Sequence, residues 1–517
     1  MQLEGKKVAV VGLGIEGVAL IEFLRGKVAG LTVCDKSMAE VILDRAEPDL
    51  TEKIKLILAD TAIEKIFGEK YLDGLEQFDI VFRSPAVYFA DPALLKAKAK
   101  GVVVLSQMKL FFALCPCPII GVTGTKGKGT TASLILEILR KKSEIRMSKS
   151  ERNPNIQIPN SKEISWRAQD DKSFIINNDP TLSTENCVLS TVNSVYLAGN
   201  IGKPAITLVP ALKKDDVIIL ELSNFQLADL DQSPHIAVVT NLGVDHLDYH
   251  KDEAEYRAAK KNIVLWQGSD DFAVLNHNST FNLSTLTKSR GQIKYFARDN
   301  SLVDCAVVDE NGISKVILDP QGRNIEICEI NDLNIVGRHN LDNVAAAAIV
   351  ADILDVPAEI IRQAVKRFVG LPHRLELIAE INKVRYINDS FATSPDPTMA
   401  AINSFSEDKI LILGGSSKGA DFTVLAETIA GSAVKGVILI GVEGPRIKKA
   451  LKTADFRGHI ISGSQTMAEI VRKASAETRR GDVVIFSPAC ASFDLFKNYK
   501  ERGEKFKEEV LKLMPKS

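Results

Sequence analysis

Short apolar runs that stop abruptly at glycine or proline punctuate this chain, and most are followed by apolar residues at helical spacing. Residues 6–13 (KKVAVVGL) open the pattern, VALIEFLRG follows as a helix and LTVCDK as a second strand; the order predicts a β-α-β start. The runs FDIVFRSPAV (78–87) and GVVVLSQ (101–107) continue it, up to the Cys-Pro-Cys-Pro punctuation near 115. A second block begins with strand, Gly-rich loop and helix in PIIGVTGTKGKGTTASLILEILRKK (118–142), and strands recur at VIILEL (217–222) and IAVVTNL (236–242). Helices are predicted at 340–354 and around 357–368, and GLPHRLE (370–376) reads as an interdomain joint. A third block then repeats the alternation at 384–390, 410–419, 437–441 and 483–488 before a charged C-terminal helix.

The pattern predicts an α/β protein of three successive α/β domains. A Rossmann-like domain is expected over 1–115, a central P-loop ATPase-type domain over 116–369, and a Rossmann-like C-terminal domain over 370–517. Residues of about 143–195 break the periodicity. They are polar and poor in aromatics, which predicts a flexible insertion rather than an ordered lid.

Composition narrows the function classes. The 517 residues carry 65 Lys+Arg against 66 Asp+Glu, a net charge of −1, so no global field draws the chain to nucleic acid or an anionic membrane. No apolar run approaches the roughly 18 residues of a membrane helix. The cysteines at 34, 115, 117, 187, 305, 328 and 490 have no zinc-type spacing, and the opening MQLEGKK carries no apolar leader. The expected setting is a reducing cytoplasm.

Phosphate binding must therefore be built locally, and Gly121-Val-Thr-Gly124-Thr125-Lys-Gly127-Lys128-Gly-Thr130-Thr131 has the means. Glycines let the backbone wrap oxygens, the helix N-terminus favours anions and Lys128 adds a point charge. Gly129 intervenes where a hydroxyl residue usually follows the lysine, so Thr130 is the candidate hydroxyl for Mg²⁺. A second Gly-rich loop, Gly12-Leu-Gly14-Ile-Glu-Gly17 with Asp35 closing the next strand, has dinucleotide-fingerprint form, but the same glycines would serve a nucleotide-sugar pyrophosphate. Glu221 ends one strand and Asp245-His246 follows another; facing a phosphate loop, such groups can ligate the Mg²⁺ ions that offset triphosphate charge. Lys260 and Lys261 follow on a helix, where composition alone would favour a solvated basic face.

Taken in order, GTKGKGTT, Gly199-Asn200-Ile-Gly202, LELSNFQL, NLGVDHLDYH, YRAAK, GRHNLDN, GLPHR, NDSFAT, GGSSKGADF and SPACASFDLFKNYKERGEKF resemble the ATP-dependent Mur ligases of bacterial peptidoglycan synthesis. The resemblance covers nearly the whole chain outside 143–195, and the last motif is most similar to that of the members adding D-glutamate. It implies that a substrate carboxylate is activated as an acyl phosphate, which an amino-acid amine then displaces. Lys128 would hold phosphates, Glu221 one Mg²⁺, and His246 with Lys260 a second, Lys260 at a position that is carbamylated in the family. Asn200 would contact the phosphorylated substrate. Asn340, Asn343, Arg374 and Asp389 match nucleotide-contacting positions. Thr393, Lys418, Ser492 and Tyr499 match positions holding the amino acid, and Gly12, Gly14, Gly17, Asp35 and Ser84 are the expected UDP-substrate contacts. The expected partners are UDP-muramoyl-alanine, an amino acid and ATP, acting on a monomer.

Two departures bear on the amino acid. Phe391 stands where the D-glutamate-adding members usually have Lys, and Tyr499 where they have Phe. Alternatives remain: a ligase adding another amino acid, a folylpolyglutamate synthase-like ligase, an NAD-dependent oxidoreductase built on GLGIEG, or a non-catalytic nucleotide-binding regulator.

Overall fold

The computed structural model describes residues 3–46, 48–152, 193–243, 249–279, 289–298, 303–319, 321–417 and 419–514, with backbone alone at 48 and 145–152. His246, Lys418 and most of the expected insertion lie outside the described residues.

The first apolar runs become the strands β1 (Lys7–Val11), β2 (Gly30–Asp35), β3 (Ile63–Phe67), β4 (Ile80–Arg83) and β5 (Val103–Ser106). They form a parallel sheet in the order β3-β2-β1-β4-β5. The near-continuous apolar character of β1 and β4 follows from helices covering both faces; Val8, Val11 and Phe82 are fully enclosed, each such side chain contributing about 1.5–3 kcal/mol. The helix Ile15–Leu24 leaves directly from the Gly-rich turn after β1.

The central sheet takes β6 (Ile119–Thr123), β7 (Val195–Gly199), β8 (Val217–Glu221), β9 (Ile236–Val239), β10 (Phe272–Asn276), β11 (Gln292–Arg298), β12 (Cys305–Glu310), β13 (Ile313–Leu318) and β14 (Ile325–Glu329). Its order among the described residues is β14-β13-β12-β11-β10-β9-β6-β8-β7. The strands from β7 to β12 run parallel, and β12-β13-β14 is an antiparallel meander. The helix after the phosphate loop spans Lys128–Arg152 and so continues past 142, where the polar stretch had been expected to end it.

The third sheet is built from β15 (Glu376–Ile381), β16 (Val384–Asn388), β17 (Lys409–Gly414), β18 (Val434–Ile440), β19 (His459–Ile461) and β20 (Val483–Phe486), in the order β15-β16-β20-β17-β18-β19. Only the hairpin β15–β16 is antiparallel among the described residues. The chain forms two compact units: Met1–Glu329 with Leu341–Val365, holding the first two sheets, and Ile330–Asn340 with Lys366–Ser517, holding the third.

Candidate active site

In the first unit the phosphate loop links β6 to the helix that starts at Lys128. Gly124 (φ 149°) and Gly127 (φ 85°) occupy backbone regions that favour glycine, and a Cβ on Gly127 would stand 2.3 Å from Asn343 Oδ1. The loop is braced from the end of β9: Asn241 O accepts from Thr125 N at 2.8 Å, Asn241 Oδ1 accepts from Lys126 N at 2.8 Å, and Thr240 Oγ1 donates to Lys126 O at 2.6 Å. Lys128 Nζ donates back to Gly124 O (2.8 Å) and Thr125 O (3.2 Å). Thr131 is buried and donates to Asn343 Oδ1 at 3.1 Å. Thr130 is half-buried on the first turn of the helix.

Lys260 lies within this group. It sits on the helix Glu253–Leu265, which Asp252 caps, and is only 2% exposed, with Nζ donating to Thr123 Oγ1 (3.0 Å) and Gly124 O (3.2 Å). One turn earlier, the Tyr256 hydroxyl meets Thr125 Oγ1 at 3.1 Å. A solvated basic face is thereby ruled out for this residue.

Glu221 closes β8, paired with Val122 of β6 one strand from the loop. Its carboxylate is 3% exposed. Oε1 accepts from Asn200 Nδ2 at 3.1 Å, while Oε2 is buried without a hydrogen-bond partner. Burying such an oxygen unsatisfied is costly. A hard cation taking oxygen ligands answers that vacancy chemically, so the residues present fit Mg²⁺, with Glu221 Oε2 as donor. Among the described residues no cluster of three or more His, Cys, Asp or Glu is gathered for a metal.

The other Gly-rich loop is equally ordered. Gly12 (φ 101°) packs so closely on Ser84 that a Cβ would lie 2.6 Å from the serine Cβ, and a Cβ on Gly17 would meet Gly12 O at 1.9 Å. Gly14 N-caps the helix that follows. Asp35 accepts from Leu13 N and Ser37 N, both at 2.8 Å, so one oxygen holds the Gly-rich loop and the other the turn that follows β2. Glu16 of this loop accepts from Gln226 Nε2 at 2.6 Å, and burial pushes its carboxyl above the usual range. Gln226 in turn closes the capping box of the short helix after Glu221.

In the second unit, the buried Asp389 accepts from Ser487 Oγ (2.7 Å) and Leu375 N (3.2 Å). Burial raises its carboxyl to about 7 against those bonds and the nearby Arg374 charge. Arg374 lies over the Phe391 ring at 3.9 Å, and Tyr499 meets that ring edge-on at 5.0 Å. Ser492 is buried, Thr393 half-buried, and Asn340 donates from Nδ2 to Val336 O at 2.8 Å.

Several contributors escaped the sequence reading. Asn241 and Thr240 brace the loop from a motif read only for its acid and histidine. Arg502, fully buried, donates to Ser390 Oγ and O and to the carbonyls of Cys490 and Ala491, tying the NDSFAT and SPACAS segments together. Nothing in its spacing could have signalled that.

Comparison with known proteins gives the family. The chain matches the Mur ligase MurD-like N-terminal domain over residues 6–106, the Mur ligase middle domain over 122–351 and the Mur ligase glutamate ligase domain over 373–490. It therefore belongs to the Mur ligase family of ATP-dependent ligases. It is 36% identical over 515 residues, 98% of this chain and 97% of the relative, to the UDP-N-acetylmuramoylalanine–D-glutamate ligase of Acetivibrio thermocellus. It is 34% identical over 98% of its length, and 96% of the relative, to that of Clostridium kluyveri. Among solved structures it resembles the UDP-N-acetylmuramate–alanine ligase of Thermotoga maritima (TM-score 0.53, 18% identity, 98% of this chain and 99% of that one). A MurF ligase of the same organism, solved with ADP, gives TM-score 0.53 at 15% identity, covering 99% and 96%. Both likenesses concern the fold. No helix among the described residues is long and apolar enough to cross a membrane.

Proposed function

We propose that this protein adds D-glutamate to UDP-N-acetylmuramoyl-L-alanine at the cost of ATP, in cytoplasmic peptidoglycan precursor synthesis. The observation that carries the reading is the whole-length match to relatives bearing that name. The division 1–115, 116–369 and 370–517 assigns UDP-sugar, ATP and amino-acid binding to successive domains, in a monomer that takes no nucleic acid and does not span a membrane.

In this reading a carboxylate oxygen of the muramoyl-alanine attacks the γ-phosphorus, the bond to the bridging oxygen breaks and ADP leaves. The D-glutamate amine then attacks the acyl carbon, phosphate departs from the tetrahedral adduct and the nitrogen loses a proton. Bound Mg²⁺, two ions in this reading, would neutralise phosphate charge. Lys128 releases its loop carbonyls to hold β/γ oxygens, with Gly124, Thr125 and Gly127 supplying backbone N–H groups. Thr130 and Glu221 are the metal-facing oxygens, and Asn200 keeps the Glu221 carboxylate aimed. His246 and Lys260 serve the second ion, Lys260 as its carbamate. Gly12, Gly14, Gly17, Asp35 and Ser84 receive the UDP-sugar. Asn340, Asn343, Arg374 and Asp389 contact nucleotide, and Thr393, Lys418, Ser492 and Tyr499 receive the amino acid.

The test is phosphate release from ATP with UDP-N-acetylmuramoyl-L-alanine, screened across amino acids of both hands. Release that depends on D-glutamate is expected. Release with a neutral or basic amino acid instead would overturn the substrate, and no release with any would overturn the class.

A further inference from the structure

The Arg374 side chain is exposed, and among the described residues it forms no ion pair with a carboxylate; its guanidinium carbon sits 3.9 Å from the centroid of the Phe391 ring. That ring is 39% exposed, so the stacked pair is open to solvent. Everything around the pair fixes it. Phe391 N donates to His373 O at 3.0 Å, so the residues before and beneath Arg374 are joined by a main-chain bond. His373 (φ 63°) and Leu375 (φ 45°) both adopt the left-handed conformation on either side of Arg374. Side chains rarely enter that region, and strain of this kind collects where a group must be held in one direction. Leu375 N is tied to Asp389, His373 N to Glu376 Oε2 at 2.9 Å, and the His373 ring to Asn388 Nδ2 at 3.0 Å. On the far side, Tyr499 meets Phe391 at 89°, and Ser390 Oγ donates to the Tyr499 carbonyl at 2.8 Å.

We propose that Phe391 is a positioning residue, whose ring face holds the Arg374 guanidinium as a fixed docking point for an oxyanion of the reactants. A planar cation on a ring face keeps its edge N–H groups free, and those edges match a phosphate or carboxylate in a two-pronged contact. A carboxylate partner in the same place would have consumed the charge. The inference rests on the reading above, in which Arg374 meets a reactant.

The oxyanion has two sources, a nucleotide phosphate and an amino-acid carboxylate, and the experiment separates them. Calorimetric titration of the full chain with ATP and with D-glutamate, alongside KM and kcat for each, is run on the parent, Arg374→Ala, Phe391→Leu, Phe391→Trp and the Arg374→Ala/Phe391→Leu double variant. Melting curves check folding. Phe391→Leu, which keeps apolar bulk but has no ring, is expected to weaken one of the two ligands about 3- to 10-fold, in KM more than kcat. Phe391→Trp should restore the parental value, and Phe391→Leu should add nothing once Arg374 is gone. The ligand affected identifies the source. The inference is overturned if Phe391→Leu binds both ligands like the parent while Arg374→Ala does not, or if the two losses add. Arg374→Ala with parental affinities would remove the role of Arg374 along with it, while leaving the ligase reading intact if phosphate is still released.

Discussion

At the scale of single residues the site is a set of charges whose surroundings decide what they can do. Lys128 Nζ donates to two carbonyls of its own loop, a contact that apolar packing does not depend on, so its removal should leave the fold unchanged. Lys128→Ala is expected to cut ATP-dependent turnover by about 10²–10³-fold or more, the scale of losing one preorganised donor to developing charge, with an unaltered melting temperature. Asp389 makes a different prediction. Burial raises its carboxyl to about 7 in the folded protein, far above the roughly 3.9 of an unfolded chain, so between those values the folded state binds the extra proton. Stability from this group is therefore fully present below about pH 4 and is lost as pH rises through about 7. Asp389→Asn keeps an acceptor for Leu375 N and removes that dependence. Its melting temperature relative to the parent should climb from pH 5 to pH 8; a constant difference would show that Asp389 ionises normally.

At the scale of elements, legibility tracked how strongly a segment's local chemistry differs from its alternatives. The strands β1, β2, β4, β5, β6, β8, β9, β16, β17, β18 and β20 stood out as short, largely apolar runs, the pattern that burial on both faces favours. The five strands from Phe272 to Glu329 did not: β12 ends in Asp-Glu, β13 carries a Lys and β14 two Glu within their apolar runs, and no catalytic motif drew attention there. One signal was present all the same. Asn311-Gly312 (φ 52° and 79°) separates β12 from β13 and forms the hairpin turn that this dipeptide favours. No atom lies within 4 Å of a Cβ at Gly312, so Gly312→Ala meets only the left-handed backbone. A loss of about 1–2 kcal/mol in urea unfolding is expected, with parental turnover. Of the site, the loop glycines, Lys128 and Glu221 were legible because phosphate and metal chemistry restrict residue type and spacing together. Arg502, Asn241 and the Phe391 platform were hidden, since each acts on a partner far away in sequence.

At the scale of the whole molecule, the first two sheets share one compact unit, and a buried ion pair joins them. Arg83 at the end of β4, with no exposed side chain, meets Asp229 beyond β8 at 2.8 Å and donates also to Val87 O and Phe225 O. Removing the carboxylate leaves a buried charge facing neutral acceptors, the carbonyls of Ser84, Val87 and Phe225 and the Tyr249 hydroxyl. Asp229→Ala should therefore cost about 3 kcal/mol or more in denaturant unfolding, and a change under 1 kcal/mol would assign the joint to apolar packing instead.

The Lys128 ammonium, resting on two carbonyls of its own loop, sets a threshold for visitors. A small anion that can replace only one of those bonds gains little by displacing the lysine, whereas a chain of linked phosphates that also engages the loop N–H groups gains at several points at once. The loop thus discriminates by the number of grips rather than by charge, and a reaction that liberates inorganic phosphate at every turnover is shielded from its own by-product. Millimolar phosphate should accordingly be a poor competitor of ATP, and ADP a good one.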